Sequence, residues 1–235
     1  MDDLRKIADG IDDPYLHKIA IREVNIIEDG LSKWMRRAKD MAEKGWCSID
    51  DKRELYNLLL KESEEVQKEL ICVDFWVERW KTEGFHQRML AINKELLQRR
   101  DRQIKVYRFF VMSKDTFGKD RVKEIIRSHR RELISESNRA EIIVILRNEF
   151  KDWQPVLCRK LQHMTIFDES LAIVELTDQF GESTGIGPVI GRRIKITEEE
   201  RREKGIQGGV DEYVNIVTEL KTLSTQRNPS ILRII

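Results

Sequence analysis

Three short runs of β-branched and aromatic residues recur along the chain: 70–76 (LICVDFW), 104–112 (IKVYRFFVM) and 140–146 (AEIIVIL). Runs of this length, apolar on both sides, read as strands buried on both faces of a sheet. Between them lie stretches with apolar residues at three- and four-residue spacing: Phe85, Met89, Ile92 and Leu96, then Val122, Ile125, Ile126, His129 and Leu133. Such spacing predicts amphipathic helices over 82–100 and around 122–133. A helix over 51–68 precedes the first strand. Strand, helix, strand, helix, strand implies parallel neighbours joined by crossover helices. Further on, 164–167 and 171–176 (LAIVEL) read as a hairpin turned at Asp168, Glu169 and Ser170, with 188–196 as one more strand and 209–225 as a last helix. The expected fold is α/β, a mixed and mostly parallel sheet flanked by helices and preceded by an N-terminal helical segment.

In that segment Leu16, Ile19, Ala20, Ile27, Leu31, Trp34, Ala38 and Met41 repeat at helical spacing. Asp29-Gly30, followed by Ser32 as an N-cap, predicts two helices rather than one. Gly45 stands where a helix end favours a left-handed residue. The chain therefore divides into residues 1–46, helical, and 47–235, the α/β domain. The first part is too small to bury its own apolar face, so it must pack on the domain or on a second copy.

Composition removes several classes of function. Against 43 Lys and Arg stand 42 Asp and Glu, so no global field draws the chain to nucleic acid or to a membrane surface. Basic clusters at 98–105, 127–131 and 192–195 read as solvated ends of elements, and a nucleic-acid partner is not favoured. No run of 18 apolar residues occurs. Cys47, Cys72 and Cys158 are widely spaced without a C-x-x-C pair, which fits reduced structural thiols in a cytoplasmic protein.

Few motifs carry chemistry. Gly185, Gly187 and Gly191 resemble a phosphate loop, but they lead into a strand rather than a helix and read as a turn. His17, His86, His129 and His163 never fall at a zinc spacing, so neither a metal nor a cofactor is expected. No serine nucleophile elbow is read. Phe75, Trp76, Trp80 and Phe85 gather after the first strand; core packing explains them, while Trp76 at the strand ends also suits ligand stacking. Arg108 interrupts the second strand between two apolar pairs. A guanidinium in a sheet interior must be paired, with Glu175 or Asp168 as the expected carboxylate, or must serve an anion.

Residues 71–112, with Trp80, Asn93 and the Leu-Leu-Gln-Arg-Arg helix end before IKVYRFFVM, together with AEIIVIL and then LQHMTIFDESLAIVEL, resemble the phospholipase D-like superfamily. In active members a strand carries H-x-K-x-x-x-x-D, which sets a nucleophilic His, a phosphate-binding Lys and an Asp around one phosphodiester. Counting back from Asp168 puts Leu161 at the nucleophile and His163 at the lysine; only the Asp matches. The Gly-Ser-x-x-Asn that follows in the family is replaced near Glu175 and Asp178. Leucine has no lone pair, so the covalent phosphohistidine route is closed there. The resemblance implies a catalytically inactive domain that senses a ligand or holds a partner, and, because members with a single copy of the motif tend to pair across a two-fold axis, a homodimer. Its ligand or anion residues would be Arg108, His163, Asp168, Glu175 and Trp76. Two other readings stand beside it: a divergent phosphodiesterase or nuclease using His163 and Arg108, with His163 and Asp168 as catalytic candidates, and a structural protein of a larger assembly.

Overall fold

The computed structural model describes residues 2–81, 84–99, 101–134, 138–176, 187–226 and 229–234. Two N-terminal helices, α1 (Asp2–Asp9) and α2 (Pro14–Lys44), lead into β1 (Trp46–Ile49). The body follows as α3 (Lys52–Glu65), β2 (Glu69–Asp74), a 3-10 turn (Val77–Lys81), α4 (Gly84–Gln98) and β3 (Lys105–Met112). Next come α5 (Lys114–Gly118), α6 (Asp120–His129) with a π turn at its end, β4 (Ala140–Leu146), α7 (Arg147–Trp153) and α8 (Pro155–Lys160). The chain then runs through β5 (His163–Phe167), β6 (Leu171–Glu175), β7 (Gly187–Ile190), α9 (Glu198–Lys204), α10 (Val210–Ser224) and β8 (Ile231–Ile234).

The eight strands among the described residues form one sheet in the order β1-β7-β6-β5-β2-β3-β4-β8. Only β2 with β3 and β3 with β4 run parallel; the other described pairings are antiparallel. The expected mixed sheet flanked by helices is present, but it is mostly antiparallel around a parallel centre. The reason is local: hairpin and edge strands need no crossover helix, and they outnumber the strands that have one. Both edge strands, β1 and β8, lie outside the predicted elements.

Alternate residues of each central strand feed two cores. On one face Leu70, Cys72, Val106 and Phe110 pack under α3, α4 and α6; on the other Ile71, Val73, Phe109 and Val111 pack under α7, α8 and α10. Both crossover helices, α4 and α6, thus lie on the same face, whereas β4 exits to the opposite one. A crevice opens beyond the carboxyl ends of the parallel strands, where these exits diverge.

The N-terminal segment differs from expectation. Asp13 caps α2, its carboxylate accepting from the amides of Tyr15 and Leu16, and Gly45 closes it with φ 77°. Between those caps the helix runs unbroken through Gly30, where two helices were expected. A glycine inside a helix costs only about 1 kcal/mol, and an ion pair of 2.7 Å from Lys33 to Asp29 spans it. Gly45 has a second role: a β-carbon there would lie 1.8 Å from the carbonyl oxygen of Arg193. No helix among the described residues is long and apolar enough to cross a membrane.

Candidate functional site

Asp74 ends β2 and Arg108 lies in the middle of β3, both facing the α4 side and both buried. Arg108 Nη1 donates to Asp74 Oδ2 at 2.7 Å. The guanidinium lies 4.0 Å over the Trp80 ring. With the buried Asn93 amide turned so that its oxygen faces β3, Oδ1 accepts from Arg108 Nη2, and Nδ2 donates to Met89 O at 3.1 Å. Burial alone would discharge Asp74, but Arg108, aided by His163 and His86, outweighs it and holds the carboxyl below its usual range. The expectation that Arg108 is paired therefore holds, while the expected partners do not. Neither Glu175 nor Asp168 takes it, because Asp74 stands at the end of the adjacent parallel strand and reaches it directly.

His163 begins β5, next to Asp74 if the antiparallel register of β2 and β5 is extended by one residue. Its Nδ1 accepts from the Phe75 amide at 3.3 Å. Its Nε2 lies 3.2 Å from Glu175 Oε2 and 3.8 Å from Asp74 Oδ1. An Nδ1 that accepts has its lone pair taken by the Phe75 amide, and a ring proton then belongs to Nε2, the nitrogen nearer Glu175. Trp76 packs on the ring at 4.2 Å between centroids and carries the Arg79 guanidinium on its own face. It backs His163 rather than facing the cavity that His163 lines.

That cavity, of about 340 Å³, is lined by Phe75, Arg147, Arg159, Leu161, Gln162, His163, Glu175 and Leu176. It occupies the crevice at the strand ends. Glu175 and Gln162 line its inner side, and Oε1 of each is buried with no hydrogen-bond partner among the described residues. Its rim is basic. Arg147 starts α7 and Arg159 sits in α8, both exposed; Arg159 Nε donates to Pro155 O, and Arg147 lies 5.4 Å over the Phe75 ring. Sequence reasoning missed Asp74, Arg147, Arg159 and Gln162. Asp74 left a signal, an acid inside LICVDFW, whereas the other three look like ordinary surface residues.

Asp168 is not in this site. It lies at the far end of β5, about 16 Å away for a five-residue strand. There, at φ 50°, it turns the β5–β6 hairpin, and its carboxylate accepts from the amides of Gln67, Lys68 and Glu69 at 2.7 to 2.9 Å. Arg108 is closed to any ligand by burial and by Asp74. Of the five expected ligand residues, the cavity receives His163 and Glu175.

Behind Arg108, His129 is fully enclosed, its Nδ1 donating to Ile125 O at 2.9 Å. Burial first, and Arg108 second, push its pKa down to about 3, so it is a neutral core residue. Burial likewise pushes the Cys72 thiol up to about 11. Among the described residues no group of three or more His, Cys, Asp or Glu is placed to hold a metal ion. Contrary to the expectation of no serine elbow, residues 181–185, Gly-Glu-Ser-Thr-Gly, have its spacing. These residues, like Gly185 of the glycine set and Asp178, lie outside the described ones. Residues 187–190 continue as a strand where an elbow requires a helix.

No family model matches the sequence, and no curated protein does. Among solved structures, one similar chain is from the structure of TrmBL2, described as an archaeal chromatin protein with a novel mode of DNA binding. The identity is 14%, over 87% of this chain and 70% of that one, with a TM-score of 0.36. Likeness at that level fixes neither fold family nor function.

Proposed function

We propose that this chain is a catalytically inactive phospholipase D-like domain, working as a homodimer, that binds a small anion-bearing ligand in the crevice at the strand ends. The observation that carries this reading is the state of the two positions where the family's His and Lys would fall. Leu161 lines the cavity with no lone pair to offer, and His163 beside it has its Nδ1 lone pair taken by the Phe75 amide, with Nε2 3.2 Å from Glu175 Oε2. A nucleophile or general base needs a free lone pair, and His163 has none to spare.

What remains suits binding. A basic rim of Arg147 and Arg159 favours a phosphate or carboxylate facing outward. Glu175 Oε1 and Gln162 Oε1 are buried acceptors, which calls for hydroxyl or amine donors on the inner side of the same molecule. The ligand class is therefore a small hydroxylated or amino-bearing phosphate or carboxylate. Calorimetric titration with glycerol phosphate, against inorganic phosphate as the control, tests this. Glycerol phosphate should bind more tightly, and Arg159→Ala and Glu175→Gln should each weaken it about tenfold, the loss of roughly 1.4 kcal/mol. Equal affinity for the two compounds, or indifference to both substitutions, would contradict the assignment.

A further inference from the structure

Helix α2 is covered at both ends and bare in the middle. Over its first half α1 packs back on it, burying Ala8 and Val24, with Arg5 donating to Glu28 and His17 Nδ1 donating to Ala8 O. Toward its end Arg37 pairs with Glu54 of α3 at 2.7 Å and Met41 packs on the body. Between these contacts, residues 29–36 are exposed on every side. Ile27, Leu31, Trp34 and Met35 nevertheless fall at i, i+4, i+7 and i+8, the pattern of one helix face. They are 50%, 41%, 65% and 59% exposed. A face so apolar at the centre of a long exposed helix is built to be covered.

Two features of the helix identify what covers it. Charge is segregated along the helix about this face: residues 23–29 carry only Glu23, Glu28 and Asp29, and residues 33–39 only Lys33, Arg36, Arg37 and Lys39. A second copy laid antiparallel sets each acidic stretch against a basic one, whereas a parallel copy sets like against like. Exposed pairs within one chain, such as Lys33 with Asp29, contribute little and re-pair at small cost. The second feature is Gly30, three residues after Ile27 and four before Trp34 and so on the edge of the same face. A β-carbon there would meet nothing within 4 Å. Nothing among the described residues requires glycine at this point, whereas a close crossing of two helices favours it.

We infer that α2 pairs with α2 of a second copy, antiparallel and crossing near Leu31, with Ile27 of each chain beside Met35 of the other. This rests on the homodimer reading and specifies its surface. The face is isologous, as a two-fold axis requires, and each long helix presents about 25 Å between residues 23 and 39.

Light scattering on the full chain should give twice its 27.9 kDa mass at tens of micromolar, and Leu31→Asp should return it to one. Orientation is read by disulfide trapping, with the native cysteines, all buried, left in place. A mixture of Ile27→Cys and Met35→Cys chains should cross-link as the mixed pair at least several-fold more than either alone. A monomeric mass for the parent chain overturns both the dimer and this interface. A dimer that survives Leu31→Asp overturns the interface while leaving dimerisation standing. Self-linked Ile27→Cys and Met35→Cys chains without the mixed product overturn the antiparallel arrangement.

Discussion

Arg108 shows how one charged residue in an apolar strand announces a buried partner. A guanidinium inside IKVYRFFVM demands a partner, and that much follows from the cost of a buried lone charge. Which partner it takes is a matter of topology. The mate is Asp74, at the end of the adjacent parallel strand, itself an acid lodged in an apolar run and readable by the same logic as Arg108. Removing one member of such a pair costs about 3 to 5 kcal/mol, so Arg108→Ala should unfold far more readily than the parent in urea at pH 7. The sign of its pH dependence follows from Asp74, whose folded pKa is lowered. The stability it contributes is present above its unfolded value and lost as pH falls through the folded one. In the variant the orphaned carboxyl takes up a proton at higher pH, so the gap from the parent should narrow in acid. An equal gap at pH 7 and pH 3 would mean the pair is not what holds Arg108.

At the scale of elements, the central strands were legible because β-branched runs of six to eight residues have few other ways to be buried. The edge strands β1 and β8 were not, since four residues are stabilised by the neighbour they pair with rather than by any pattern of their own. Gly30 misled in the other direction: Asp-Gly usually breaks a helix, yet packing at both ends of α2 carries the helix through it. The β5–β6 hairpin gives the clearest case of a motif residue doing a different job. Asp168 looked like part of a phosphate site and instead ties the loop before β2 to the hairpin through three amides. Asp168→Ala should lower stability by roughly 2 to 3 kcal/mol, as charge-assisted hydrogen bonds of this kind do, while leaving the affinity for glycerol phosphate unchanged. A loss of binding without a loss of stability, read by paired calorimetric titration and urea denaturation, would return Asp168 to the ligand site.

At the scale of the whole molecule, the fold gathers at one end of the central strands what the sequence keeps far apart. Asp74 and Phe75 come from β2 and its exit, His163 from β5, Glu175 from β6, and Arg147 and Arg159 from two helices on the opposite face. Such a gathering is invisible to any local pattern, which is why only His163 and Glu175 of the cavity's polar residues could be named beforehand. The crevice lies at the strand ends, with the Nδ1 lone pair of its histidine taken by the Phe75 amide and leucine two residues before it. The most direct test is the rate at which the purified chain hydrolyses bis(p-nitrophenyl) phosphate, with and without added divalent metal. Release of nitrophenol should match buffer alone, whereas turnover that disappears in His163→Ala would contradict the account.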